Sequence, residues 1–186
     1  MVYISKGIVC KESGINNLHV SRCGGKYNLL GDKAKLWLAG RFRLAYAADS
    51  VGQSGLRELE SIGLVEAMEP NKTASYRLLT NCVICKENPV VSFPLLNKTE
   101  KFIWKWIRNA GFKLTIGELV YLVEQNIMPG SEFFGEKNWH TLIHAIYTPE
   151  TISDCILDVK MAESPARNRT VSAVLGLLKK KHIILV

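Results

Sequence analysis

Residues 50–79, SVGQSGLRELESIGLVEAMEPNKTASYRLL, constrain what this chain can fold into more than any other stretch. At about 100° per residue, Leu56, Leu59 and Ile62 fall on one side of a helix, and Ser54, Arg57, Glu58 and Ser61 on the other. The Asp49-Ser50 pair can cap that helix, and Gly63 suits the left-handed residue that ends one. Leu64-Val65-Glu66 then starts a strand, Pro70-Asn71-Lys72 makes a turn, and residues 74–79 return as a second strand around the β-favouring Tyr76.

The rest of the chain supplies elements on both sides. Residues 2–26 read as a β-hairpin: Tyr3, Ile4, Ile8 and Val9 lead into Cys10, a turn falls at Gly14-Ile15-Asn16-Asn17, a second run covers 18–23, and Gly24-Gly25 breaks it. Asp32 N-caps a helix whose inward face includes Leu36, Ala39, Gly40, Phe42, Arg43 and Tyr46, and a short or irregular helix follows at 45–50. Asn88-Pro89 and Phe93-Pro94 oppose helix and place a domain boundary near Leu95. Beyond it the pattern is helical: 99–109 with Phe102 and Trp106 four apart, a helix opened by Thr115, one over 138–147, one from Thr148-Pro149-Glu150 to Ala162, and one from Arg167. Ile183 to Val186 reads as a closing strand.

Residues 50–79 resemble the recognition helix and wing of winged helix-turn-helix domains of the bacterial regulator type. Leu56, Leu59, Gly63, Leu64 and Val65 carry the match, with Tyr76-Arg77-Leu78-Leu79 as the wing strand. Residues 167–186, RNRTVSAVLGLLKKKHIILV, resemble a second recognition helix through Thr170-Val171-Ser172, Leu175, Leu178 and the lysine-rich exit. The strand at 183–186 either leaves that unit wingless or pairs elsewhere. The fold class is therefore α+β, mainly α. An N-terminal winged helix-turn-helix with a β-hairpin spans 1–95, and a helical domain with a candidate second, wingless helix-turn-helix spans 96–186.

Charge points the same way. The net charge of +7 favours a polyanionic partner, of which nucleic acid is the commonest. In the terminal segment Arg167, Asn168, Arg169, Ser172, Lys179 and Lys180 are candidate DNA contacts, and Ala173 and Gly176 are small enough for close approach to a groove. Residues 164–186 contain no acid. Ser54, Arg57, Lys72 and Arg77 are the candidates on the first helix and wing, though Glu58 and Glu60 beside Arg57 repel phosphate. Against these readings stands an ordinary solvated helix, whose lysines favour its C-terminal dipole end.

The five cysteines suit no disulfide framework in a chain without an export signal. Cys82-Val83-Ile84-Cys85 together with Cys10 and Cys23 is a candidate structural zinc set, provided the hairpin packs beside the wing. The alternatives are a redox dithiol at Cys82 and Cys85, or buried thiols acting as small apolar groups. Cys155 reads as core. His140 and His144, with Glu136, share a helical face without an HExxH pattern. Trp104, Trp106 and Trp139 read as core aromatics rather than a base-stacking platform. No nucleotide-binding loop and no nucleophile turn occurs, so no enzyme is expected.

The expected function is sequence-specific double-stranded DNA binding by a cytoplasmic transcriptional regulator acting as a homodimer. The helices at 99–126 are the expected dimer surface, and no membrane is involved. Two alternatives stay open: an accessory or initiator protein of a mobile element, and a winged-helix interaction scaffold without DNA binding.

Overall fold

The computed structural model describes residues 1–10, 17–87, 95–110, 114–130, 139–148 and 154–186. The turn at Gly14, Ile15 and Asn16, the prolines at 89, 94 and 149, Gly111 and Glu136 lie outside the described residues, as do the side chains of Trp139, His140 and Cys155. The protein is mixed α+β and rich in helix. In chain order the elements are β1 (Val2–Ser5), β2 (Ile8–Val9), β3 (Asn17–Arg22), β4 (Gly25–Leu30), α1 (Gly31–Gly40), β5 (Ala45–Tyr46), α2 (Ser50–Ser61) and β6 (Val65–Met68). They continue as α3 (Ala74–Thr80), β7 (Ile84–Lys86), α4 (Lys98–Ala110), α5 (Ile116–Glu124), α6 (Trp139–Ile146), α7 (Asp154–Ala162), α8 (Arg167–Lys179) and β8 (Ile183–Leu185).

Three small antiparallel sheets hold the strands, in orders β5-β1-β6, β2-β3-β4 and β7-β8. The expected pairing across residues 8–23 is present as β2 against β3. Gly24-Gly25, expected to break the chain, instead turns it into β4. Cys23 and Gly24 both take positive φ, 49° and 81°, which is the geometry of a two-residue hairpin turn matched to strand twist.

The α2 segment forms as its sequence predicts, except that Ile62, expected on its apolar side, follows the helix and is exposed. Asp49 Oδ1 accepts from the Gly52 amide at 2.8 Å, Leu56 and Leu59 are fully buried, and Gly63 stops the helix at φ +74°. Three expectations around it are corrected. Leu30, not Asp32, is the N-cap of α1, and Asp32 instead bonds Lys35 at 2.9 Å. Residues 45–46 form β5, so no second helix precedes α2. The wing is absent, because residues 74–79 lie in α3 and β6 pairs with β1. The alternation of buried Ala74, Tyr76 and Leu78 fits a strand as well as a helix, which is why Tyr76 misleads. Two contacts set the helix. Asn71 Oδ1 accepts from the Thr73 amide at 2.9 Å to start the first turn, and Tyr76 Oη reaches the Asp158 carbonyl at 2.9 Å on α7.

Buried side chains form two clusters that meet at β1. Alternate residues of a strand face opposite ways. Tyr3 accordingly joins Trp37, Leu56, Leu59 and Val65, while Val2 and Ile4 join the cluster built from α3, β7 and the helices after it. The terminal strand pairs elsewhere, with β7, in the register Ile84↔Leu185. The Gly7 amide also donates to the Leu185 carbonyl at 2.8 Å, tying the end of the chain to its beginning.

Arg77→Pro, at an exposed site of α3, should remove the Arg77 amide bond to the Thr73 carbonyl (3.0 Å). The expected cost is about 3 kcal/mol or more, read as a lower urea midpoint.

Candidate nucleic-acid interface

The terminal helix is not presented to solvent as expected. One side of α8 buries Thr170, Val171, Val174, Leu177 and Leu178. The side that carries Ala173, Gly176 and Lys180 faces other helices rather than a groove. Ala173 is buried, a Cβ placed on Gly176 would run into Glu100 Oε1, and Lys180 Nζ bonds both Glu100 oxygens at 2.8 and 2.7 Å. The small residues therefore let α4 approach, not DNA. Arg167 is half-buried; its Nη1 donates to the Ala162 carbonyl at the end of α7 and its Nε to Asn168 Oδ1 at 3.0 Å. Asn168, Arg169, Ser172 and Lys179 remain exposed.

The contact between α4 and α8 is built on a buried ion pair. Glu100 is 4% exposed and closes a reciprocal cap at the start of α4, with Glu100 Oε2 accepting from the Asn97 amide and Asn97 Oδ1 from the Glu100 amide, both at 2.8 Å. Burial alone would raise this carboxyl. The hydrogen bonds from Lys180 and Asn97, with the Lys180 charge, outweigh it and hold Glu100 below the usual range. His182 lies behind the pair, with its ring centroid 5.2 Å from that of buried Trp104. Burial, then the Lys180 charge, lowers its pKa.

Among the described side chains, the face that solvent sees on α4 is wholly basic. Its exposed positions are Lys98, Lys101, Lys105 and Arg108, spaced three, four and three apart. That spacing keeps them within one stripe, about 15 Å long at 1.5 Å per residue. The acid in the helix, Glu100, is buried and paired. Sequence reasoning missed this stripe because consecutive lysines draw attention first. Lysines at 179, 180 and 181 point in different directions: Lys179 is exposed, Lys180 bonds Glu100, and Lys181 takes φ +59° with its ammonium 5.5 Å from the Phe42 ring. The apolar sides of α4 and α5, within the dimer surface expected at 99–126, lie inside the core.

Around α2 the candidates are dispersed. Ser54 lines a groove of about 810 Å³ between α1 and α2, whereas Arg57 is exposed outside it. The groove has an apolar floor of Tyr3, Leu36, Ala39 and Ala47, and its rim carries Tyr46 and Val51, 72% and 71% exposed. Its charges are largely matched, Lys33 to Glu58 and Lys35 to Asp32, while Asp49 caps α2. Lys72 sits in the turn before α3 and Arg77 on the exposed side of α3, so neither stands on a wing.

The cysteines do not assemble. Among the described residues no three His, Cys, Asp or Glu side chains converge as metal ligands. Cys23 is exposed at the β3–β4 turn, and Cys10 is half-buried where β2 ends, its amide bonded to the His19 carbonyl at 2.8 Å. Cys82 is buried and donates to the Leu78 carbonyl at 3.1 Å; burial pushes its thiol up to about 12, opposite to what a reactive dithiol needs. Cys85 is half-buried within β7. His144 is exposed, and its proposed partners fall outside the described residues. Trp104 and Trp106 are buried, so neither is a stacking platform.

Comparison with family models, curated proteins and solved structures finds no match to this chain. No helix among the described residues is long and apolar enough to cross a membrane.

The titrating pair sets a pH dependence. His182 binds its proton less readily when folded, so stability should fall as pH drops below its ordinary 6.5 and level off beneath its folded value. Glu100 contributes stability that is full above its ordinary 4.5 and is lost as pH falls through its lower folded value. Urea midpoints should therefore decline in two steps on acidification, the first absent in His182→Gln. At neutral pH Glu100→Ala should cost about 2–3 kcal/mol, below the full value of a buried pair because the Lys180 side chain is 29% exposed.

Proposed function

We propose that this protein binds double-stranded DNA, with α4 lying along the phosphate backbone. The observation that carries this reading is the acid-free stripe of Lys98, Lys101, Lys105 and Arg108. An ordinary solvated helix mixes both signs; a face of one sign over about 15 Å suits duplex DNA, which carries a charge every 1.7 Å or so. Arg169, Asn168 and Ser172 on neighbouring α8 supply donors of the kinds that contact phosphates and base edges. A cytoplasmic transcriptional regulator remains the reading of its role. The first part of the resemblance, α2 with Gly63 and β6, supports it, and the missing wing transfers the backbone contacts to α4.

The second reading is protein interaction through the α1–α2 groove. Exposed Tyr46 and Val51 above an apolar floor, with charges already matched, favour a protein surface over a polyanion. In the DNA-binding reading the same groove is where a second copy docks, because a reader of symmetric half-sites acts as a dimer.

Titration of random duplex at two salt concentrations tests the first reading. Binding should weaken steeply with salt, and Lys101→Ala or Lys105→Ala should each flatten the slope by about one unit. Arg57→Ala should leave it unchanged. Absence of salt-dependent binding, with Tyr46→Ser disrupting a protein complex, would favour the scaffold.

A further inference from the structure

Beside the stripe lies a crevice of about 160 Å³ lined by Lys98, Thr99, Phe102, Val123, Asn126 and Arg169. Three elements build it: the first turn of α4, the end of α5 and the start of α8. It holds two cations and no acid. Arg169 Nη2 donates to the Val123 carbonyl at 3.2 Å, one of the last carbonyls of α5, which have no partner within the helix. That bond anchors the guanidinium while leaving other N–H groups of its fork to serve a ligand. Thr99 adds a hydroxyl and Asn126 a side-chain amide. Phe102 and Val123 form an apolar wall, which strengthens electrostatic attraction at the crevice. The volume is well under the 300–1,000 Å³ or so of drug-sized pockets. At roughly 30 Å³ per water it admits a group of about five waters' volume.

We infer that this crevice is a binding site for a single phosphate group, held by Lys98, Arg169, Thr99 and Asn126. Two cations with polar donors and no acid in one small concavity match the oxygens of a tetrahedral dianion or of a backbone diester. That the ligand is a phosphate rests on the crevice. That it belongs to nucleic acid rests on the function proposed above, and then the crevice fixes the register of α4 on the duplex.

The test uses the full chain and two probes. Inorganic phosphate is titrated at constant ionic strength against chloride, following backbone amide resonances by NMR. Shifts should concentrate at Lys98, Thr99 and Asn126 and saturate. Lys98→Gln with Arg169→Gln should weaken the binding at least about tenfold, while Lys101→Gln with Lys105→Gln should leave it intact. Lys98→Gln alone, at an exposed site outside the core, should give a partial loss if the double variant folds poorly. No shift, or shifts spread evenly along α4, overturns the site.

Duplex DNA is the second probe. If the ligand is a backbone phosphate, the double variant should flatten the salt slope by about one unit per contact removed, and inorganic phosphate should compete. Saturable phosphate binding with duplex binding untouched by the variants supports the phosphate site and assigns it to a free phosphorylated molecule. Failure of all duplex binding, with phosphate still held, removes the proposed function and leaves the site standing.

Discussion

The pairing of β7 with β8 is the constraint on which the larger part of the structure depends. It joins Ile84 to Leu185, near the two ends of the helical portion, and the reciprocal bonds between Val83 and Val186 at 3.0 and 2.9 Å extend it. With β8 held there, α8 lies between α3, α4 and α5, and its apolar residues complete their core. Closing so long a loop has an entropic cost that only the finished core offsets. Folding of this cluster is therefore bound to nonlocal contacts, which form late and slowly.

Buried charges mark the junctions of this architecture. Lys6, 2% exposed, bonds Glu66, and Asn81 donates to the other Glu66 oxygen at 3.0 Å, so β1, β6 and the end of α3 meet at one ionic cluster. Glu100 and Lys180 do the same for α4 and α8. A buried ion pair adds little net stability but strongly disfavours arrangements that leave either charge alone. Both pairs thus specify which surfaces meet. They also take two basic residues out of the pool available to a polyanion, while the α4 stripe, among the described residues, remains an exposed concentration of positive charge.

Local signals in the sequence were strong where chemistry acts within a turn. Asp49 as cap of α2, Gly63 as its stop, and Thr115 as cap of α5 are legible, and the last forms a full capping box with Glu118. Apolar spacing likewise located α4, α5 and α8, whereas the face read for α1 was wrong: it buries Ala34, Trp37 and Gly40, and Phe42, Arg43 and Tyr46 lie beyond its end. The α4 stripe was legible in principle from its three-four-three spacing, but only burial of Glu100 makes that face acid-free.

What the sequence determined by itself was therefore most of the helices, the caps of α2 and α5, an α+β protein with an excess of positive charge, and the apolar stripes that must be buried. Tertiary structure decided the rest. Residues 74–79 satisfy both a period of two and a helical period, and packing against α5, α7 and α8 selected the helix over the wing strand. The face of α8 with Ala173 and Gly176 asks for a close neighbour, and smallness alone does not say whether that neighbour is a nucleic acid or another helix. The four cysteines carry metal-binding chemistry, but it requires convergence, and Cys23 at a hairpin tip and Cys82 in the core cannot supply it. Spacing along a chain fixes direction within one element. Which elements face each other depends on burying every apolar stripe at once, and that is a property of the whole fold.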